Sequence, residues 1–145
     1  MDESAVGIDD LEDLPLFAGL DGDDLEAILR TGHPASFKAG ERLVERGDPG
    51  DAMYIVLSGT AEVVVGGRSH RITKGDFLGE MAVLAGKKRM ATVTAVEDVE
   101  ALQVSAEHFQ TLLLERPRIA LAIIKSMVER LREAQDRIDA WIGVW

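Results

Sequence analysis

Two side chains of opposite charge, Glu80 and Arg89, stand nine residues apart in a glycine-bounded stretch of small and apolar residues. A guanidinium presents a planar fork of N–H donors that can grip a phosphate with parallel hydrogen bonds. A carboxylate accepts hydrogen bonds from hydroxyl groups. The pair therefore suits a ligand that carries both a hydroxyl and a phosphate, and a sugar phosphate is the natural candidate.

Backbone groups extend this candidate site. A strand ends near Gly79 and gives way to a short apolar turn of helical character, which leaves the N–H groups of Glu80, Met81 and Ala82 free at the helix start. Such N–H groups donate to anions, and the local dipole favours negative charge. Because Gly79 has no side chain, it lets a ligand approach the backbone closely.

The elements that position this stretch are short strands. Glycines punctuate residues 35–104, and the runs between them are rich in Val, Ile, Tyr and Thr, which is typical of an antiparallel sandwich or barrel. The run from Asp51 to Gly59 is mostly apolar, as expected for a strand buried on both faces, and Gly66-Gly67 predicts a tight hairpin turn. The predicted strands are Arg42–Val44, Met53–Leu57, Ala61–Val65, His70–Thr73, Thr92–Ala95 and Val99–Val104.

Helical patterns flank the strands. Residues 1–10 are predicted to form a flexible acidic leader, and a helix capped by Asp21 is predicted to run to about Thr31 and to stop at Gly32. After the strands, the pattern predicts a short helix from Ala106 to about residue 115. Pro117 is suited to begin a second helix that continues to about residue 141. We therefore divide the chain into the leader, a unit at residues 11–116 and a long helix at residues 117–145.

Composition excludes several classes of function. The chain has no cysteine, so thiolate catalysis and cysteine-ligated metals are excluded, and its three histidines lack metal-binding spacing. Ten acidic residues and no Lys or Arg lie in residues 1–26, which leaves sixteen acids and sixteen bases in the remainder. A neutral body with an acidic leader is a poor binder of nucleic acid. No apolar run reaches the length of a membrane span, so we expect no membrane partner and a cytoplasmic location.

The glycine-bounded stretch resembles the phosphate-binding cassette of the cyclic-nucleotide-binding domain family. The motif Gly79-Glu80-Met81-Ala82 is followed, at the spacing of that cassette, by Arg89-Met90-Ala91. The resemblance extends from about Leu14 to Ile138. It includes the features Pro15-Leu16-Phe17, Gly40, Gly47, Tyr54-Ile55-Val56-Leu57-Ser58-Gly59 and Gly75-Asp76.

The resemblance implies a fold and a set of roles. The fold is mainly β with flanking helices: an eight-stranded jelly-roll β-roll with an N-terminal helical segment and two C-terminal helices. Glu80 would accept a hydrogen bond from the ribose 2′-OH, Arg89 would neutralise the cyclic phosphate, and the amides near Gly79, Met81 and Ala82 would complete the phosphate cradle.

Met90 departs from the family pattern, which has Ala, Ser or Thr after the arginine. In cGMP-selective members a hydroxyl at this position contacts the guanine, so its absence favours cAMP over cGMP. On the long helix, the base-contacting positions of the family correspond to Ala134 and Gln135, and the Gln135 amide offers both a donor and an acceptor to an adenine edge.

The long helix carries a heptad pattern. Its a positions are Ile124, Leu131, Ile138 and Trp145, and its d positions are Met127, Ala134 and Trp141. Such a seam predicts a homodimer through paired helices. The alternative is a helix that lays the same residues on its own β-roll and closes over the base as a lid.

The predicted function is reversible binding of a cyclic nucleotide by a non-enzymatic sensor that repositions its C-terminal helix; no other cofactor is expected. Two alternatives stay open. The chain could be the regulatory fragment of a larger transcription factor or channel, in which DNA binding would need residues beyond Trp145. It could also be a degenerate domain, with Glu80 and Arg89 as an ordinary ion pair, that serves only for protein interaction.

Overall fold

The computed structural model describes residues 6–65 and 67–137. Within these residues eight strands form two four-stranded antiparallel sheets, in the orders β1-β8-β3-β6 and β2-β7-β4-β5. The predicted mainly β fold with flanking helices is confirmed. The strands are β1 Gly32–Phe37, β2 Arg42–Val44, β3 Ala52–Ser58, β4 Ala61–Val65, β5 Arg68–Ile72, β6 Phe77–Leu78, β7 Val93–Ala95 and β8 Val99–Ser105.

The N-terminal helical segment consists of α1 (Ile8–Glu12), a 3₁₀ turn (Pro15–Phe17) and α2 (Gly22–Thr31). The predicted limits of α2 are confirmed, because the Asp21 side chain caps it by accepting from the N–H of Asp24 and the helix ends before Gly32. Helix α1 begins at Ile8, so the last three residues assigned to the leader are helical rather than loose. Residues 1–5 of the leader lie outside the described residues.

Strand β3 divides the hydrophobic core into two clusters. Its alternate residues Met53 and Ile55 face the helices, whereas Tyr54 and Val56 face the interior of the roll. Successive side chains of a strand point to opposite faces, and β8 divides its residues between the two clusters in the same way. The prediction of a strand buried on both faces is confirmed by the five consecutive buried residues at the start of β3.

Two further helices follow the roll. The Ser105 hydroxyl caps α4 (Ala106–Glu115) by accepting from the N–H of His108, and α5 begins at Pro117 and is described to Arg137. Ile119 and Ile123 of α5 are buried in the core cluster that also holds Phe17 and Phe109. No helix among the described residues is both long and apolar enough to cross a bilayer.

The prediction that Met127 belongs to the dimer seam of α5 is wrong. Met127 packs against the protein's own core, because it continues the inner face of Ile119 and Ile123 at helical spacing. Exposed apolar residues on a different side of the helix form a stripe with alternating spacings of three and four. We call these residues the α5 stripe: Leu121, Ile124, Val128 and Leu131. The predicted seam residues Ile138, Trp141 and Trp145 lie outside the described residues.

Candidate functional site

The predicted site lies where β6 ends. Strand β6 pairs with β3, with Tyr54 opposite Leu78, and the chain then turns at Gly79 into α3 (Glu80–Ala85). Gly79 has a positive φ of 85°, a conformation that side chains with a Cβ rarely adopt. A Cβ at Gly79 would also lie 2.5 Å from Nη1 of Arg89. Glycine is therefore favoured here by its positive φ and by the close approach of the arginine to the backbone.

Arg89 is buried, with 6% of its surface exposed. Its Nη2 donates to the carbonyl of Ala52 at 2.6 Å and lies 3.4 Å from Oδ1 of Asp51, and its Nη1 donates to the carbonyl of Gly79 at 3.3 Å. These three contacts use at most three of the five N–H donors of a guanidinium. The carboxylate partner, Asp51, has an 80% exposed side chain. Arg89 is therefore a buried cation that keeps unused N–H donors and whose anionic partner is largely exposed to solvent.

The loop before β3 holds the arginine in place. The N–H of Arg89 donates to the carbonyl of Asp48 at 2.8 Å, and the N–H of Gly47 donates to the carbonyl of Arg89 at 3.0 Å. Gly50 brings this loop against α3, since a Cβ there would lie 2.5 Å from Cβ of Ala82. Because Gly50 and Ala82 are small, the loop before β3 and helix α3 can lie in contact beside the guanidinium of Arg89.

Glu80 is the second buried charge of the site, with 4% of its surface exposed. Desolvation raises the pKa of its carboxyl group above the usual range. The charge of Arg130, the backbone N–H groups of Glu80 and Met81, and the charge of Arg89 all oppose this increase in pKa. The structure thus brings Glu80 and Arg89 within electrostatic range of each other, as predicted from their spacing.

Arg130 of α5 is a site residue that the sequence analysis missed. Its Nη1 lies 3.5 Å from both carboxylate oxygens of Glu80, and its Nη2 donates to the carbonyl of Phe77 at 2.6 Å. Its guanidinium carbon lies 4.2 Å from the centre of the Phe77 ring, which is a cation–π contact. A signal for it exists in the sequence, because Arg130 lies seven residues after Ile123 and therefore on the inner face of α5.

The remaining predicted residues occupy different environments. Ala82 is buried, whereas Met81 and Met90 are exposed, Met90 to 70%. The long side chain of Met90 is therefore mostly in contact with solvent. Gln135 is partly buried on α5, one turn and one residue beyond Arg130.

The chain is similar to several known proteins. Residues 34–116 match the family model described as cyclic nucleotide-binding domain. A cyclic nucleotide-gated potassium channel of Rhizobium etli is 35% identical over 117 residues, which cover 81% of this chain and 33% of the channel. A cAMP-dependent protein kinase regulatory subunit of Emericella nidulans is 35% identical over 106 residues, covering 71% of this chain and 26% of the subunit.

A solved structure shows the same fold. The catabolite activator protein of Thermus thermophilus superposes with a TM-score of 0.75 at 30% identity, covering 86% of this chain and 62% of that protein. The chain therefore spans a third or less of the two curated relatives named above and less than two thirds of the activator.

Proposed function

Because the chain belongs to the cyclic nucleotide-binding domain family, we propose that it is a sensor that binds a cyclic nucleotide reversibly, prefers cAMP to cGMP and repositions α5 when the ligand binds. The proposed role is binding rather than catalysis. It includes a cytoplasmic location, a homodimeric state and no contact with nucleic acid by this chain alone.

The observation that carries the proposal is the pair of buried, incompletely compensated charges, Arg89 and Glu80. Burial of a charge is costly unless an opposite charge or hydrogen bonds compensate it. A cyclic phosphate would neutralise Arg89, and the ribose 2′-OH would donate to the desolvated carboxylate of Glu80. One ligand would thus compensate both buried charges. This favours ligand binding over the degenerate-domain alternative.

Movement of α5 follows from the contact between Glu80 and Arg130. A 2′-OH that donates to Glu80 uses the same carboxylate oxygens that face Arg130 at 3.5 Å. Ligand binding therefore changes an ionic contact that joins α5 to α3. Because a ligand shifts a conformational equilibrium only through such differential contacts, we propose that this pair transmits occupancy to α5.

The choice of base is proposed to depend on Met90 and Gln135. Met90 offers no hydroxyl to a guanine, and its exposed side chain follows Arg89 directly in the chain. The Gln135 amide can both donate to and accept from an adenine edge. Residues 117–145 would then serve as a lid, a dimerisation segment, or both.

The α5 stripe supports the homodimer. Its four apolar residues are each about half exposed, and their spacing of three, four and three residues is that of a coiled-coil seam. In this register Leu121 and Val128 lie at a positions, and Ile124 and Leu131 lie at d positions.

Isothermal titration calorimetry with cAMP, cGMP and AMP tests the function. We expect saturable binding of cAMP and a loss of about 10-fold to 100-fold in affinity for Arg89→Ala, since charge-assisted hydrogen bonds contribute about 1.5–3 kcal/mol. Arg42→Ala is the matched control, because Arg42 is exposed and pairs with Glu45 on the surface. Failure of millimolar cAMP and cGMP to bind the folded chain would leave the degenerate-domain alternative.

A further inference from the structure

Tyr54 is a buried aromatic residue in the interior of the roll. Its side chain lies on the same face of β3 as Val56, and only 8% of its surface is exposed. The ring makes an edge-to-face contact with Phe37 of β1, with the ring centroids 5.9 Å apart and an interplanar angle of 74°. These contacts hold the ring in place, and the position of its hydroxyl group is therefore set by the fold.

The hydroxyl group of Tyr54 has no hydrogen-bond partner among residues 6–65 and 67–137. A buried tyrosine O–H usually finds such a partner. The Tyr54 oxygen also keeps contact with solvent, because the one fully buried and unpartnered side-chain oxygen or nitrogen of the described residues is Oδ2 of Asp24. The phenol therefore offers an unused donor at an accessible point of an otherwise buried side chain.

The β3–β6 ladder brings Tyr54 close to the guanidinium of Arg89. Tyr54 pairs with Leu78 in this ladder. Arg89 donates to the carbonyls of Gly79 and Ala52, which lie one and two residues beyond that pair. Because alternate residues of a strand share a face, Ala52 and Tyr54 lie on the same side of β3, roughly 7 Å apart along the strand. The phenol and the guanidinium thus belong to the same end of the ladder.

The charges that act on the phenol indicate the same location. Desolvation raises the pKa of Tyr54, the charge of Arg89 opposes this increase, and the charge of Asp51 adds to it. Arg89 and Asp51 form the ion pair at the end of the site where a phosphate is proposed to bind. A phenol is protonated at neutral pH, so Tyr54 can donate a hydrogen bond to an anion in this region without repelling it.

We propose that the Tyr54 hydroxyl is a further ligand-binding group, which donates a hydrogen bond to the phosphate that Arg89 binds. This inference rests on the proposed binding of a cyclic nucleotide. It extends the phosphate cradle from α3 to β3, and it adds a neutral O–H donor to the guanidinium and the backbone amides. Loss of the hydroxyl group should therefore weaken the binding of a ligand that carries a phosphate.

Calorimetry of Tyr54→Phe with cAMP tests this role. The substitution removes the hydroxyl group and keeps the ring, so the edge-to-face contact with Phe37 is preserved. We expect about 10-fold weaker binding of cAMP, the lower end of the effect of a hydrogen bond to a charged group, because the hydroxyl group keeps contact with solvent. Ser69→Ala is the matched control, since it removes an exposed hydroxyl group from β5 and should bind cAMP like the wild type.

A spectroscopic readout is available because Tyr54 is the single tyrosine of the chain. A chain labelled with ¹³Cζ-tyrosine gives one NMR signal, which reports the hydrogen bonding and the ionisation of this phenol. Binding of cAMP should shift the signal and raise the pKa of the phenol further, because a bound phosphate neutralises Arg89 and disfavours the phenolate. Adenosine, which has no phosphate, should do neither.

The possible outcomes separate this inference from the proposed function. A wild-type chain that does not bind cAMP would overturn both. The role of Tyr54 alone would be overturned if the wild type binds cAMP and Tyr54→Phe loses no more affinity than Ser69→Ala. A ¹³Cζ signal that does not move at saturation with cAMP, or that moves equally with adenosine, would also overturn it.

Discussion

Replacing Arg130 with Ala tests how α5 is held to the site. The substitution removes the hydrogen bond to the carbonyl of Phe77, the ionic contact with Glu80 and the cation–π contact with the Phe77 ring. It leaves the buried carboxylate of Glu80 without its nearest cation on α5. We therefore expect a less stable chain whose loss of stability depends on pH.

The size of the loss follows from these contacts. A hydrogen bond to a charged group contributes about 1.5–3 kcal/mol, and we take about 2 kcal/mol because the Arg130 side chain is 40% exposed and solvent screens it. Unfolding of 145 residues carries an entropy of about 0.3 kcal/mol/K, from roughly 2.1 cal/mol/K per residue. A loss of about 2 kcal/mol thus lowers Tm by roughly 6–7 °C.

The pH dependence has a defined sign. Desolvation already raises the pKa of Glu80, and removing Arg130 raises that pKa further because the charge of Arg130 is the largest influence that lowers it. An acid whose pKa is raised by folding binds more protons when folded, so its contribution to stability falls as pH rises between the unfolded and folded pKa values. The deficit of Arg130→Ala should therefore be smallest in acid, where Glu80 is protonated, and largest at neutral and higher pH.

Urea unfolding of the ligand-free chain at several pH values measures this deficit. Arg132→Ala is the matched control, since Arg132 is exposed on the same helix, and it should lower stability only slightly. The double variant with Glu80→Gln should lose the pH dependence of the deficit. A deficit that is the same at every pH, or one equal to that of Arg132→Ala, would refute the proposed contact between Arg130 and Glu80.

Four further outcomes are expected. Glu80→Gln should bind cAMP and 2′-deoxy-cAMP with similar affinity in calorimetry; a wild-type chain that already fails to discriminate them would contradict the role of Glu80. Met90→Thr should narrow the preference for cAMP over cGMP in competition binding, and equal wild-type affinities would show that base choice is set elsewhere. Gly79→Ala should lose about 1–3 kcal/mol and weaken cAMP binding, whereas Gly40→Ala, at a φ of 91° with open space around it, should keep its affinity. Val128→Glu should yield monomers in sedimentation with unchanged circular dichroism, and a monomeric wild type at high micromolar concentration would end the dimer proposal.

Local patterns in the sequence determined much of the fold. The cap at Asp21 and the stop at Gly32 set both ends of α2, because caps act within one turn of the residues that form them. The apolar run before Gly59 identified β3 as a strand with two buried faces. Glu80 and Arg89 were also found from the sequence, since their chemistry and spacing lie within one short stretch.

Tertiary structure alone decided the partners of these residues. The carboxylate of Asp51 lies 38 residues from Arg89 in the chain, and Arg130 lies 50 residues from Glu80. A two-residue strand such as β6 has no periodicity of its own and exists because β3 supplies its hydrogen-bond partners. The heptad pattern placed Met127 at a d position of the dimer seam, and only the position of the core beneath Ile119 and Ile123 turned Met127 inward. Local propensity acts over a few residues, whereas these contacts depend on where the packing of the whole chain brings distant segments together.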